Sequence, residues 1–213
     1  MNLVFLGPPG SGKGTQADRL AAKTGMRHLS TGDMLRASVK AETELGKKAE
    51  GYMKKGELVP DALLIGIIKE KIDSGDLDGG FILDGFPRTI PQAENLNEML
   101  EENHANLDWV ILFDVSDEEV VKRLSGRWFC PKCNAGYNYP MKMPKVEGVC
   151  DREGAQLTRR PDDEPSVVLN RLEVYKRQTQ PIEDFYRDES KLVVIDGEQS
   201  PEKVFSMLLQ RVG

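Results

Sequence analysis

Three cysteines in 213 residues are too few, and odd in number, for a disulfide framework, and they point to a reducing compartment. No apolar stretch approaches the length needed to span a bilayer. No basic segment followed by an apolar one precedes the first strand-like residues, so no secretory signal is expected, and the cytosol is the expected location. Positive charge is not in excess: 29 Lys and Arg against 35 Asp and Glu leave a net charge of -6. That balance argues against a general nucleic-acid or membrane-surface binder, so any basic cluster must serve a local purpose. There is no internal repeat and no low-complexity tract. The length suits one α/β domain with insertions better than two independent domains.

The stretch that is most informative is Gly7-Pro8-Pro9-Gly10-Ser11-Gly12-Lys13-Gly14-Thr15. The short, mostly apolar run Met1-Asn2-Leu3-Val4-Phe5-Leu6 before it reads as a buried strand, and Gln16 to Lys23 after it has helical composition. Strand, glycine-rich turn and helix form the context of a P-loop. Glycines let backbone N–H groups converge on phosphate oxygens at a helix N-terminus, and Lys13 supplies a mobile positive charge. The usual pattern has Ser or Thr directly after the lysine. Here Gly14 intervenes and the hydroxyl comes at Thr15. The competing reading is an ordinary strand-to-helix turn.

Further along, His28-Leu29-Ser30 reads as a strand, and Thr31-Gly32-Asp33 opens a helix with Thr and Asp as capping residues. Thr43 is expected to cap a helix ending before Gly56, and Pro60-Asp61 to start another with Leu63, Leu64, Ile67, Ile68 and Ile72 facing the core. Phe81-Ile82-Leu83-Asp84 is a strand ending in a carboxylate. After a P-loop such a carboxylate commonly holds magnesium, directly or through water; a turn or cap aspartate is the alternative. Pro91 suits the first turn of a helix from Gln92 to Glu101, Trp109 to Phe113 is a strand, and Ser116 to Leu124 a helix. Residues 126–163 are rich in Cys, Pro, Gly and aromatics and read as an inserted subdomain of short strands. A helical pattern runs from Glu164 to about Arg187, kinked or broken at Pro181, before the strand Leu192 to Ile195 and a helix from Ser200-Pro201. Alternating strands and helices predict a parallel, doubly wound sheet.

Gly7 to Gln16, Ser30-Thr31-Gly32-Asp33-Met34, Asp84-Gly85-Phe86-Pro87-Arg88-Thr89 and the insertion together resemble adenylate kinase over essentially the whole chain. The insertion is similar to the lid of the long, bacterial-type enzymes. The resemblance implies an α/β P-loop kinase with a central parallel five-stranded sheet flanked by helices and a small inserted β lid. It implies a core of residues 1–29, 60–125 and 164–213, an AMP-binding segment at 30–59 and a lid at 126–163. The implied reaction is ATP + AMP = 2 ADP with magnesium, in a monomer, with ATP, AMP and ADP as ligands and Asp84 meeting the magnesium through water. Gly10, Ser11, Gly12, Lys13, Gly14, Thr15, Arg123, Arg127, Gly136, Tyr137 and Gln199 would hold ATP. Thr31, Arg36, Glu57, Leu58, Val59, Gly85, Phe86, Pro87, Arg88, Gln92, Arg160 and Arg171 would form the AMP site, with Gln92 reading the adenine edge. Lys13, Arg88, Arg127, Arg160 and Arg171 would carry catalysis.

Arginine forks donate in parallel to phosphate oxygens and offset the repulsion of two nucleotides. The arginines at 36, 88, 123, 127, 160 and 171 each sit beside a Gly/Pro break or a lid boundary, which predicts positive charge concentrated in one cleft. The accepting phosphate is already largely ionised near neutral pH, so no general base is needed. His28 is accordingly read as a strand residue beneath the site and His104 as an exposed helix-end residue. Cys130-x2-Cys133-x16-Cys150-x2-Glu153 has the spacing of a closed, structural zinc site in a lid too small for its own core. Some adenylate kinases carry Cys or Asp in fourth place; here Glu153 stands there, with Asp151 as a competitor. The rival readings are a UMP/CMP kinase, against which Thr31, Gln92 and the long lid count, and a nucleotide-dependent switch, against which the duplicated phosphate arginines count.

Overall fold

Strands that are apolar at nearly every position must be covered on both faces, and helices do the covering here. The structure, a computed structural model, describes residues 1–75, 77 and 79–212. In chain order β1 (Asn2–Leu6), α1 (Lys13–Thr24) and β2 (Arg27–Ser30) are followed by three helices, α2 (Thr31–Lys40), α3 (Glu44–Lys55) and α4 (Asp61–Asp73). Then come β3 (Phe81–Asp84), α5 (Ile90–Glu102), β4 (Trp109–Asp114) and α6 (Asp117–Ser125). The short antiparallel hairpin β5 (Arg127–Phe129) and β6 (Gly136–Asn138) precedes α7 (Pro165–Val174), α8 (Pro181–Asp188), β7 (Leu192–Asp196) and α9 (Pro201–Val212).

The main sheet is five-stranded, ordered β2-β3-β1-β4-β7, and every pairing is parallel. Side-chain alternation splits the core into two layers. Leu3, Phe5, Ile82, Ile111, Phe113 and Ile195 face α1 and α9, packing on Ala17, Leu20, Val204 and Leu208. Val4, Leu6, Phe81, Leu83, Val110 and Leu112 face α4, α5 and α8, packing on Leu64, Ile68, Leu96, Ile182 and Tyr186. The expected five-residue stripe on α4 is narrower than read: Leu64, Ile68 and Ile72 are buried while Leu63 and Ile67 are only half-buried at its edge.

Two local differences from the sequence reading bear on the site. Ser30, not Thr31 or Asp33, caps α2, its hydroxyl accepting from Asp33 N at 3.3 Å. Thr31 is thereby free to donate to Gly85 O at 2.8 Å. At Pro181 the helical run is interrupted, as expected, and α8 starts afresh. Because proline has no N–H, the preceding turn widens into a π-turn, Tyr175–Thr179, in which Gln180 N donates to Tyr175 O at 2.9 Å.

Candidate active site

Parallel strands end on one edge of the sheet, and the β1–α1 turn lies there. Gly10 (φ +80°) and Gly12 (φ +96°) adopt left-handed conformations that side chains resist, so the loop curls with its amides inward. Lys13 Nζ folds back over it, donating to Gly7 O at 2.7 Å, Pro8 O at 2.8 Å and Ser11 Oγ at 3.2 Å. The departure at Gly14 has a steric reason. A Cβ there would stand 3.2 Å from Asp84 Oδ2, so glycine lets the β3 carboxylate approach the start of α1.

That carboxylate sits in a charged knot. His28 Nδ1 lies 2.8 Å from Asp18 Oδ1 and His28 Nε2 3.7 Å from Asp84 Oδ2. Burial would lower the His28 pKa, but the hydrogen bond to Asp18 and the Asp84 charge raise it to about 9. Burial likewise opposes ionisation of Asp84, yet His28, Lys13 and Arg88 hold it below the usual carboxylate range. Burial, with Arg88, Arg171 and Arg127 acting against the opposing pull of Asp84, brings Lys13 down to about 8.

Across from the P-loop the arginines converge and are held by carboxylates. Arg127 grips the buried Asp163 with both ends of its fork, Nε lying 2.7 Å from Oδ2. Arg171 donates to Asp162 Oδ2 at 2.9 Å and lies 3.6 Å from Asp163. Asp33 takes Arg36 at 2.6 Å and Arg160 at 3.6 Å. Burial and neighbouring guanidiniums lower Arg160 to about 10, and burial, partly offset by Asp162, does the same to Arg171; both stay charged at neutral pH. The compensation is incomplete: Arg160 Nε is buried with no hydrogen-bond partner among the described residues. Arg88 spends its Nε on Gly85 O at 2.7 Å, and no hydrogen bond of its two terminal nitrogens is seen among the described residues.

One cavity of about 500 Å³ joins these groups. Its wall includes Gly10 to Thr15, Thr31, Arg36, Glu57, Leu58, Val59, Asp84, Gly85, Pro87 and Arg88, together with Arg123, Arg127, Gly136, Tyr137, Arg160, Arg171 and Gln199. Two expected members stand behind it. Phe86 is wholly buried in the core. Gln92 is 0 % exposed, its Oε1 accepting from Arg88 N at 2.7 Å and its Nε2 donating to Asp61 Oδ1 at 2.6 Å. Sequence reasoning missed Asp33, Asp162 and Asp163, although Asp162 and Asp163 directly follow Arg160-Pro161 at the end of the insertion.

Further out, the Sγ atoms of Cys130, Cys133 and Cys150 lie within 4.8 Å of one another. Tyr137 OH at 3.5 Å and Arg152 N at 3.4 Å donate to Cys150 Sγ, which together with the Glu153 amide outweighs burial and favours the thiolate. Three converging sulfurs with thiolate-stabilising donors fit a zinc ion. The Glu153 carboxylate is not part of this group, and Asp151 Oδ1 accepts from Lys145 N at 2.8 Å.

A P-loop at the end of β1, an acid at the end of β3 and a ring of arginines over both define a nucleoside monophosphate kinase. Comparison with known proteins narrows the class. A family model described as adenylate kinase matches residues 5–191. Relatives described as adenylate kinase include one from Methanothrix thermoacetophila, 51% identical over 96% of this chain and 95% of the relative. Another, from Carboxydothermus hydrogenoformans, is 50% identical over 98% of this chain and 97% of its own length. A third, from Lachnospira eligens, is 46% identical over all of both chains. The chain belongs to the adenylate kinase family, whose members bind ATP, AMP and ADP as substrates and use magnesium with ATP. Among the described residues no helix is long and apolar enough to cross a membrane.

Proposed function

We propose that ATP lies along the P-loop and AMP against residues 30–59, with the γ-phosphoryl passing between them beneath the arginines. The observation that carries this reading is the convergence of Lys13, Arg88, Arg127, Arg160 and Arg171 on one cavity, with the buried Arg160 Nε left without a partner among the described residues. Leftover buried donors are costly unless a ligand satisfies them, and phosphate oxygens are the acceptors that fit a guanidinium fork.

In this reading Gly10 to Thr15, Arg123, Arg127, Gly136, Tyr137 and Gln199 hold ATP. Thr31, Arg36, Glu57 to Val59, Gly85, Pro87, Arg88, Arg160 and Arg171 hold AMP, with Phe86 packed in the core behind them. Gln92, whose amide is held by Asp61 and the Arg88 N–H, is kept as the residue that reads the adenine edge. Magnesium would supply charge neutralisation on the phosphates, and Asp84 would help to hold it through water; a carboxylate kept ionised beside the P-loop suits that use. Residues 126–163 act as a lid that excludes water from the transfer. Cys130, Cys133 and Cys150 would hold a structural zinc in that lid, and Glu153 would have to turn its carboxylate toward the three sulfurs to serve as fourth ligand, Asp151 Oδ1 being engaged by Lys145 N. The protein works as a cytoplasmic monomer.

Steady-state ADP formation with AMP, CMP, UMP and GMP as acceptors tests the assignment. AMP is expected to give the highest kcat/KM, and a preference for a pyrimidine nucleotide would overturn it.

A further inference from the structure

The residue that aims Arg88 from the far side of the cavity has no place in the nucleotide sites described above. Arg88 is tied at three points. Its N–H donates to Gln92 Oε1 at 2.7 Å, its Nε donates to Gly85 O at 2.7 Å, and its carbonyl accepts from Thr179 Oγ1 at 3.0 Å. The first two ties come from the same loop and the helix after it. The third crosses to the opposite arm of the molecule, 91 residues away in sequence.

Thr179 is placed for this by the π-turn. A threonine inside a regular helix usually turns its hydroxyl back onto the carbonyl four residues earlier. For Thr179 that carbonyl is Tyr175 O, which in the widened turn accepts from Gln180 N, while the hydroxyl donates to Arg88 O. The Thr179 hydroxyl is released to reach outward, and the residue is only 6 % exposed, so the bond is sheltered from water. The same arm carries Arg171 on α7, so one helical segment presents a guanidinium to the cavity and fixes the backbone beneath another.

We infer that Thr179 is a positioning residue for phosphoryl transfer, holding the Arg88 carbonyl so that the Arg88 fork meets the AMP phosphate. The inference rests on the proposed role of Arg88. Rigid backbone support matters because small misplacements of a clamp are expensive in rate.

The test uses steady-state kinetics of the full chain with AMP and ATP varied separately, and calorimetric titration with AMP. Thr179→Val keeps the branched shape and removes the hydroxyl. It is expected to lower kcat/KM for AMP about tenfold, the worth of one sheltered hydrogen bond, while KM for ATP stays unchanged. Thr179→Ser should restore most of the loss. In an Arg88→Ala background the valine change should have no further effect on AMP affinity. If Thr179→Val folds poorly, Thr179→Ala removes the same hydroxyl with less bulk and serves for the same comparison. Unchanged AMP kinetics in the hydroxyl-free variants, beside an impaired Arg88→Ala, overturns the proposal alone. So does an equal loss toward ATP and AMP that serine fails to rescue. Normal turnover in Arg88→Ala overturns the reading of Arg88, and the proposal with it.

Discussion

Lys13 sits at the meeting point of the P-loop, the Asp84 carboxylate and the arginines. Its ammonium is surrounded by burial and three guanidiniums that lower its pKa to about 8, against one carboxylate, Asp84, that raises it. Below pH 8 it is cationic and ready for phosphate; above pH 8 the free enzyme loses that charge. The pH profile of kcat/KM for ATP, which reports free-enzyme ionisations, should therefore fall on an alkaline limb centred near 8. A profile flat to pH 10 would show that Lys13 keeps its proton through another interaction. Removing the charge outright, by Lys13→Ala or Arg88→Ala, should cost roughly 10³-fold in turnover, the lower end for a transition-state cation, with the fold retained by circular dichroism. Normal turnover in either variant discredits the role given to that residue.

At the scale of elements, what could be read from the sequence was what lies close along the chain. The P-loop is legible because its glycines, lysine and flanking strand and helix are contiguous. Asp84 is legible because a strand ends on it, and the cap at Thr43 because Gly46 N is three residues away, at 3.1 Å. The carboxylates that hold the arginines were not legible, because the Arg127–Asp163 contact spans 36 residues and nothing local distinguishes a pairing aspartate from a capping one. The π-turn escaped for a related reason. Proline announces a break, but which carbonyl takes up the slack depends on the packing around it. The 3₁₀ turn Pro161–Asp163 offers a direct check on the value of such distant pairs. The Asp163 side chain is 0% exposed and its partner Arg127 is 23% exposed, so Asp163→Asn leaves a largely sheltered cation with one acceptor oxygen and no opposing charge from this partner. Loss of about 3 kcal/mol in urea unfolding is expected, near the lower end for breaking a buried pair because water reaches Arg127. A change within error would mean that Arg127 finds another acceptor at no cost.

Over the whole molecule, the two layers of core are thick wherever the sheet is covered and thin in residues 126–163. There the buried packing reduces to Cys130, Tyr137, Cys150 and Leu157, edged by the partly buried Trp128, Cys133, Ala135 and Ala155, around a hairpin of three-residue strands. A two-stranded ribbon of that size is marginal by itself in water. A zinc ion drawing three sulfurs together would cross-link residues 130–150 and supply folding energy that the small cluster lacks. The core does not share this dependence, because its two clusters close around the five strands without any residue of the hairpin. Protein prepared without chelator should contain close to one zinc per chain by metal analysis. Stripping it should lower the melting temperature, by roughly 2–4 °C for each kcal/mol lost in a chain of this size. Limited proteolysis should then cut first within 126–163, while the core fragment persists. If the chain as purified holds no zinc, or the stripped form melts and is cleaved like the intact one, then hydrogen bonds and the small apolar cluster are enough to hold residues 126–163 together.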